Sequence, residues 1–163
     1  MANSTKKNAR GLNTQHLLNF EQSVLNMSLY NPVLAIGSGS KKKVLITTGA
    51  TGLFLIEGKM YVTPASQEVG FTATTDDIVA SATKVQERYY VVCLNTSGTG
   101  SIVAGDQADT GKALLPEIDS DLCAIGYVKL SVAAGAVDFD ATTDELDEGH
   151  ITDVYTNVAL LAY

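Results

Sequence analysis

Residues Val85–Asn95, VQERYYVVCLN, place apolar side chains on both sides of one extended run. Tyr89, Val91 and Cys93 fall on one side, and Tyr90, Val92 and Leu94 on the other. Side chains along a strand alternate between faces, so a run of this kind has no face to give to water. It reads as a central strand, or as one held between a sheet and a partner. A chain with such a strand must build a layer on each side of it. Thr, Ala, Val and Gly are plentiful elsewhere, and the charged fraction of 18% lies below the usual ~25%. That mix suits sheets and turns, because β-branched side chains pack well on a pleated surface.

Further strands follow from the same alternation. Lys43–Thr48 is one, closed by a turn at 49–52. Leu53–Ile56 and Lys59–Thr63 form a hairpin around Glu57-Gly58, ended by Pro64, which cannot donate to a ladder. Val69–Thr72 and Asp77–Ala80 are weaker candidates. A turn over 96–100 lets Ser101–Ala104 pair back. Cys123–Val132 is a strand, Gly135 turns the chain into a short Val137–Phe139 return, and an acidic loop leads to an apolar end at Tyr163. Short strands at this density predict a mainly β fold, a small β-sandwich or barrel.

The N-terminal part differs. Residues 1–13 are polar. Over Thr14–Leu29 the period becomes helical: Leu17, Phe20 and Val24 stand at i, i+3 and i+7, with Leu18 and Leu25 beside them. Asn13 or Thr14 can cap this helix, and Asn31-Pro32 ends it. Gly37–Ser40 reads as a hinge. The expected organisation is therefore residues 1–40, an arm with one helix and a hinge, and residues 41–163, a β-rich domain. The apolar stripe must be buried, either on its own domain or on another copy of the chain.

Charge and motifs exclude several kinds of function. With 18 acidic and 11 basic side chains the net charge is −7, which argues against direct nucleic-acid binding. Lys6, Lys7 and Arg10, and Lys41–Lys43, read as solvated segments. The start of the chain has no apolar run of a secretory signal, and no stretch approaches the ~18 apolar residues of a membrane span. The expectation is a protein made in a reducing cytoplasm, with no membrane partner. Cys93 and Cys123 read as small buried hydrophobes, and two cysteines do not establish a disulfide.

Chemistry-bearing patterns each miss a requirement. Gly105–Ala113 has one residue too many for a phosphate loop, and Ala113 stands where a Ser or Thr would hold magnesium. Asp138, Asp140, Asp144, Glu145, Asp147 and Glu148 form the densest acidic cluster, but lack the central glycine and spacing of a calcium loop. A short helical turn over 144–147 is expected there, capped by Thr142 or Thr143. His16 and His150 are the only histidines, and neither sits in a nucleophile setting. No catalytic residue, metal ligand or cofactor is expected, so the chain reads as a non-enzyme.

The runs LFLIEGKMYVT, ERYYVVCLNTSGTGSIVAGDQA, LLPEIDSDLCAIGYVKLSVAAGAVDF and TDELDEGHITDVY together resemble small virion proteins of tailed bacteriophages, the head decoration (cement) and head-fibre proteins. Gly58–Val62, Tyr89–Gly98 and Pro116–Tyr155 carry the likeness, and the N-terminal helix and hinge lie outside it. The resemblance implies a β-rich module on the capsid exterior, assembled in the host cytoplasm. It also implies contact with the major capsid protein and with copies of itself, commonly as a trimer. On that basis the expected interfaces are the stripe Leu17, Leu18, Phe20, Val24 and Leu25, and the two-sided strand at Tyr89, Tyr90 and Val92. A tail or baseplate adaptor or fibre, and a host-glycan-binding module, are the alternatives.

Overall fold

The computed structural model describes residues 26–30, 32–48, 51–72 and 75–157. Eleven strands run through them: β1 Met27–Ser28, β2 Val33–Ile36, β3 Lys43–Thr47, β4 Gly52–Ile56, β5 Lys59–Thr63, β6 Ser66–Gly70, β7 Gln86–Leu94, β8 Gly100–Ala104, β9 Ala108–Asp109, β10 Cys123–Val132 and β11 Ile151–Asn157. The fold is mainly β, with no helix among the described residues, and its strands form three open sheets.

The largest sheet has the order β11-β10-β7-β8, with β9 also pairing β7. The run that is apolar on both sides is its central strand, hydrogen-bonded to β10 on one edge and β8 on the other. A second sheet has the order β2-β3-β6 and a third β1-β4-β5, all antiparallel. In β10 the register shifts between Ala124 and Gly126, which makes Ile125 the extra residue of a bulge. A Cβ at Gly126 would lie 2.6 Å from Leu34 Cδ1 and 2.7 Å from the Thr156 carbonyl oxygen. Only glycine lets β2 pass this close to the β10–β11 pair.

One core serves all three sheets. Leu34, Val44, Ile46 and Val69 enter it from the second sheet, Phe54 and Ile56 from the third. Tyr90, Val92, Leu94, Ile125, Val128 and Leu130 enter it from the first. Polar side chains join the sheets at two seams. Gln67 on β6 donates to the Gly98 carbonyl (3.0 Å) and accepts from the Gly100 N–H (2.8 Å), which ties β6 to the β7–β8 turn. The Asn157 side-chain oxygen accepts from the Leu34 N–H (3.0 Å), which ties β2 to β11.

Several sequence expectations hold closely. The hairpin around Glu57-Gly58 forms, with φ of 49° and 73° at its two turn residues, as a tight two-residue turn demands. β10 has the expected bounds. Others are corrected. The expected helix through Leu29 gives way at its end to β1, whose Met27 and Ser28 pair with Leu55 and Phe54. Residues 1–25, and with them most of that helix, lie outside the described residues. Gly37–Ser40, read as a hinge, instead lies in the connection of the β2–β3 hairpin, where the Gly37 N–H donates to the Lys43 carbonyl (2.8 Å). Asp77–Ala80 and Val137–Phe139 contribute only an isolated bridge, Ile78 to Phe139. The helical turn expected over 144–147 does not form; a single turn lies earlier, over 140–144, where the Asp144 N–H donates to the Asp140 carbonyl (3.0 Å), and it is capped by Asp140 rather than by Thr142 or Thr143. Its carboxylate accepts from the N–H groups of both threonines, satisfying donors that a turn's own backbone leaves open.

Candidate assembly surfaces

The fold divides the expected interface on β7. Tyr90 and Val92 have no exposed surface. The Tyr90 ring meets Phe71 edge-on at 5.0 Å, its hydroxyl donates to the Asp76 carbonyl, and the Arg88 guanidinium lies 5.6 Å from the ring centroid. Burial pushes this phenol well above its ordinary range. Both residues are therefore core, because a partner cannot touch side chains that the chain itself encloses. Tyr89 points to the opposite face, where it is half-buried and edge-on to Tyr127 at 5.4 Å. Leu17, Leu18, Phe20, Val24 and Leu25 lie outside the described residues.

A surface that sequence reasoning passed over lies on the third sheet. Gly52, Phe54 and Ile56 of β4 point inward, so Leu53 and Leu55 must point outward. The register sets Met27, Leu55 and Met60 in one row across the three strands, and places Leu53 opposite Val62 in the next. The Leu29 N–H donates to the Leu53 carbonyl (2.9 Å), extending that second row. Met60 is 62% exposed and Val62 54%, and Leu29 and Leu53 are exposed as well. Two adjoining rows of apolar side chains are thus open to solvent, with Met27 and Leu55 half-buried among them. The signal was present in the sequence, since LFLI is apolar on both faces, just as YYVVCL is.

A second apolar surface surrounds the loop after β9. A cleft of about 500 Å³ is lined by Ala104, Gly105, Lys112, Leu114, Leu115 and Pro116 among others. Leu114 is 77% and Leu115 53% exposed. The loop is held close to the sheet at Gly105, whose N–H donates to the Tyr89 carbonyl (2.8 Å). A Cβ at Gly105 would lie 2.7 Å from the Leu114 carbonyl oxygen.

The titratable groups that the structure brings together serve the backbone. Asp138 accepts from the Ala80 N–H (2.7 Å), Asp77 from the Ala141 N–H (2.9 Å), and Asp144 from the Asp140 N–H (2.8 Å). Glu87 is buried, accepts from the Gly111 N–H (2.8 Å) and pairs with Lys129 (3.0 Å). The Gly111 N–H, aided by Lys129, holds its carboxyl below the usual range against the opposing effect of burial. Asp144, Glu148 and His150 bring one possible ligand atom each to within 4.8 Å of one another. The ring nitrogens face different carboxylates, Nε2 towards Asp144 (4.0 Å) and Nδ1 towards Glu148 (3.6 Å). Cys93 and Cys123 are free, buried thiols, each pushed up to about 12 by burial.

No helix among the described residues is long and apolar enough to cross a membrane. No protein-family model, curated protein or solved structure matches this chain significantly.

Proposed function

We propose that this chain is a structural protein of a tailed-phage virion that decorates and stabilises the head from outside, as a cement or head-fibre subunit. The observation that carries the proposal is the Leu114–Leu115 loop, two large apolar side chains held in solvent beside a cleft. Contiguous exposed apolar surface marks an interaction site. The same loop opens the stretch LLPEIDSDLCAIGYVKL, through which the chain resembles phage decoration and head-fibre proteins. In this proposal the loop is the contact with the major capsid protein, and copies of the chain associate as trimers. Each contact is small, and the lattice makes it effective, because a trimer engages several sites at once and linked weak contacts multiply. Such a role needs a stiff body with exposed contacts and no reaction centre.

The test is co-sedimentation with heads from the lysate that contains this chain. The double variant Leu114→Asp/Leu115→Asp is expected to keep the β circular-dichroism spectrum of the parent and to lose head binding. Undiminished binding of that variant would remove the loop from the interface. Binding of the parent chain to tails alone would replace decoration with an adaptor or tail-fibre role. Retention on host polysaccharide, with none on particles, would replace it with glycan binding.

A further inference from the structure

We infer that the apolar stripe of Thr14–Leu25 packs across the outer face of the β1-β4-β5 sheet of its own chain. Three observations lead there, and none depends on the virion assignment.

The first is the face itself. Met27, Leu55 and Met60, and beside them Leu29, Leu53 and Val62, form two rows on a sheet whose other face is already core. Burying such a pair of rows is worth roughly 25 cal/mol for each Å² taken from water.

The second is where the remaining chain joins. Residues 1–25 enter the described structure at Asn26, one residue before Met27. Asn26 is fixed in place: its side-chain N–H groups donate to the carbonyls of Ser120 (2.7 Å) and Leu122 (3.0 Å), and its oxygen accepts from the Glu57 N–H (2.7 Å). The segment is thereby tethered at the edge of the exposed rows. A short tether gives an effective concentration of order millimolar, which favours the chain's own segment over a second copy at ordinary protein concentrations.

The third is the match of dimensions. Leu17, Phe20 and Val24 lie on one face of the expected helix, with Leu18 and Leu25 flanking them. From Leu17 to Val24 a helix rises about 10 Å. Three strands spaced about 4.8 Å apart set their outer axes about 10 Å from each other. The stripe is therefore as long as the sheet is wide. Asn19, Gln22 and Ser23 fall on the polar side, which is left for water.

The test uses the full chain carrying Phe20→Cys and Leu53→Cys, under mild oxidation. The native thiols stay out of the reaction, because both are buried and hold their protons. The expected product is a monomer with the two introduced cysteines joined, seen by peptide mass mapping and by faster migration in a non-reducing gel. A covalent dimer would overturn the inference in favour of a second copy on this face. Free thiols throughout would show that the face is not covered by the segment and would also overturn it. Hydrogen exchange on the unaltered chain gives an independent reading. Amides of residues 14–25 are expected to exchange at least about tenfold more slowly than in the Leu53→Asp/Val62→Asp variant. Equal rates would contradict the inference. Both measurements are made on the isolated protein, so their outcome is separate from that of head binding.

Discussion

Strands β7 and β4 look alike in sequence, since YYVVCL and LFLI are each apolar on both faces, yet the fold treats them differently. β7 sits between β10 and β8, and its Val91 and Cys93 are as hidden as its Tyr90 and Val92. β4 also lies between two strands, but only its inward residues Gly52, Phe54 and Ile56 are hidden, while Leu53 stands exposed beside Leu55. Apolarity on both faces therefore states that two covers are needed, without stating where the second comes from. In β4 the second cover has to be supplied by residues beyond the described sheets or by another molecule.

The largest expected effect separates neighbouring residues on β4. Phe54→Ala should cost about 3–5 kcal/mol in urea denaturation, as large-to-small core changes do. Leu53→Ala, one residue away and facing outward, should cost about 1 kcal/mol, as befits a side chain under partial cover. Equal losses would erase the distinction between the two faces of this sheet.

A smaller effect is expected from the buried charge on β7. Glu87→Gln should cost about 1–3 kcal/mol at neutral pH, because Lys129 loses its counter-charge and the Gly111 N–H a charged acceptor. The Glu87 carboxyl titrates lower in the folded chain than in the unfolded one. Its stabilisation is therefore fully present above about pH 4.3, the ordinary glutamate value, and is lost as pH falls through the lower folded value. Urea midpoints measured between pH 6 and pH 3 should fall more steeply for the parent than for Glu87→Gln.

Thiol chemistry sharpens the contrast without changing the sequence. Cys93 lies on β7 and Cys123 on β10, both buried, with their thiols pushed up to about 12. At pH 8 their reaction with a disulfide reagent should be slower in the folded chain by about a thousandfold than in urea. Rapid labelling of Cys93 would show that the outer side of the large sheet opens readily, and rapid labelling of Cys123 that the core beneath it does. The smallest effect belongs to Lys41, which pairs with Asp147 at 2.8 Å and approaches Glu145 at 3.9 Å, all in solvent. Lys41→Ala should leave the urea midpoint unchanged, because exposed ion pairs contribute little.

The parts of the fold that sequence reasoning reached were those with strong local rules. Glu57-Gly58 between two alternating runs dictated a hairpin, and ten residues of alternation dictated β10. β11 escaped because its inward positions, Ile151, Asp153, Tyr155 and Asn157, include two polar residues, and Asn157 faces inward to seal a seam with β2. β1 and β2 escaped because they are short and follow a helical pattern directly. Met27–Ser28 is a strand only because Leu55 and Phe54 lie opposite, a tertiary fact. For the surfaces, alternation identified the two-sided strands but not their neighbours, so Tyr90 and Val92 were read as interface although they are core, while Leu53 and Val62 were passed over.

The most direct measurement of the proposed role is electron microscopy of particles from the lysate that contains this chain, labelled with gold-conjugated antibody raised against residues 26–157. Decoration predicts gold distributed over the icosahedral heads. Gold confined to tails, or particles with none, would contradict it.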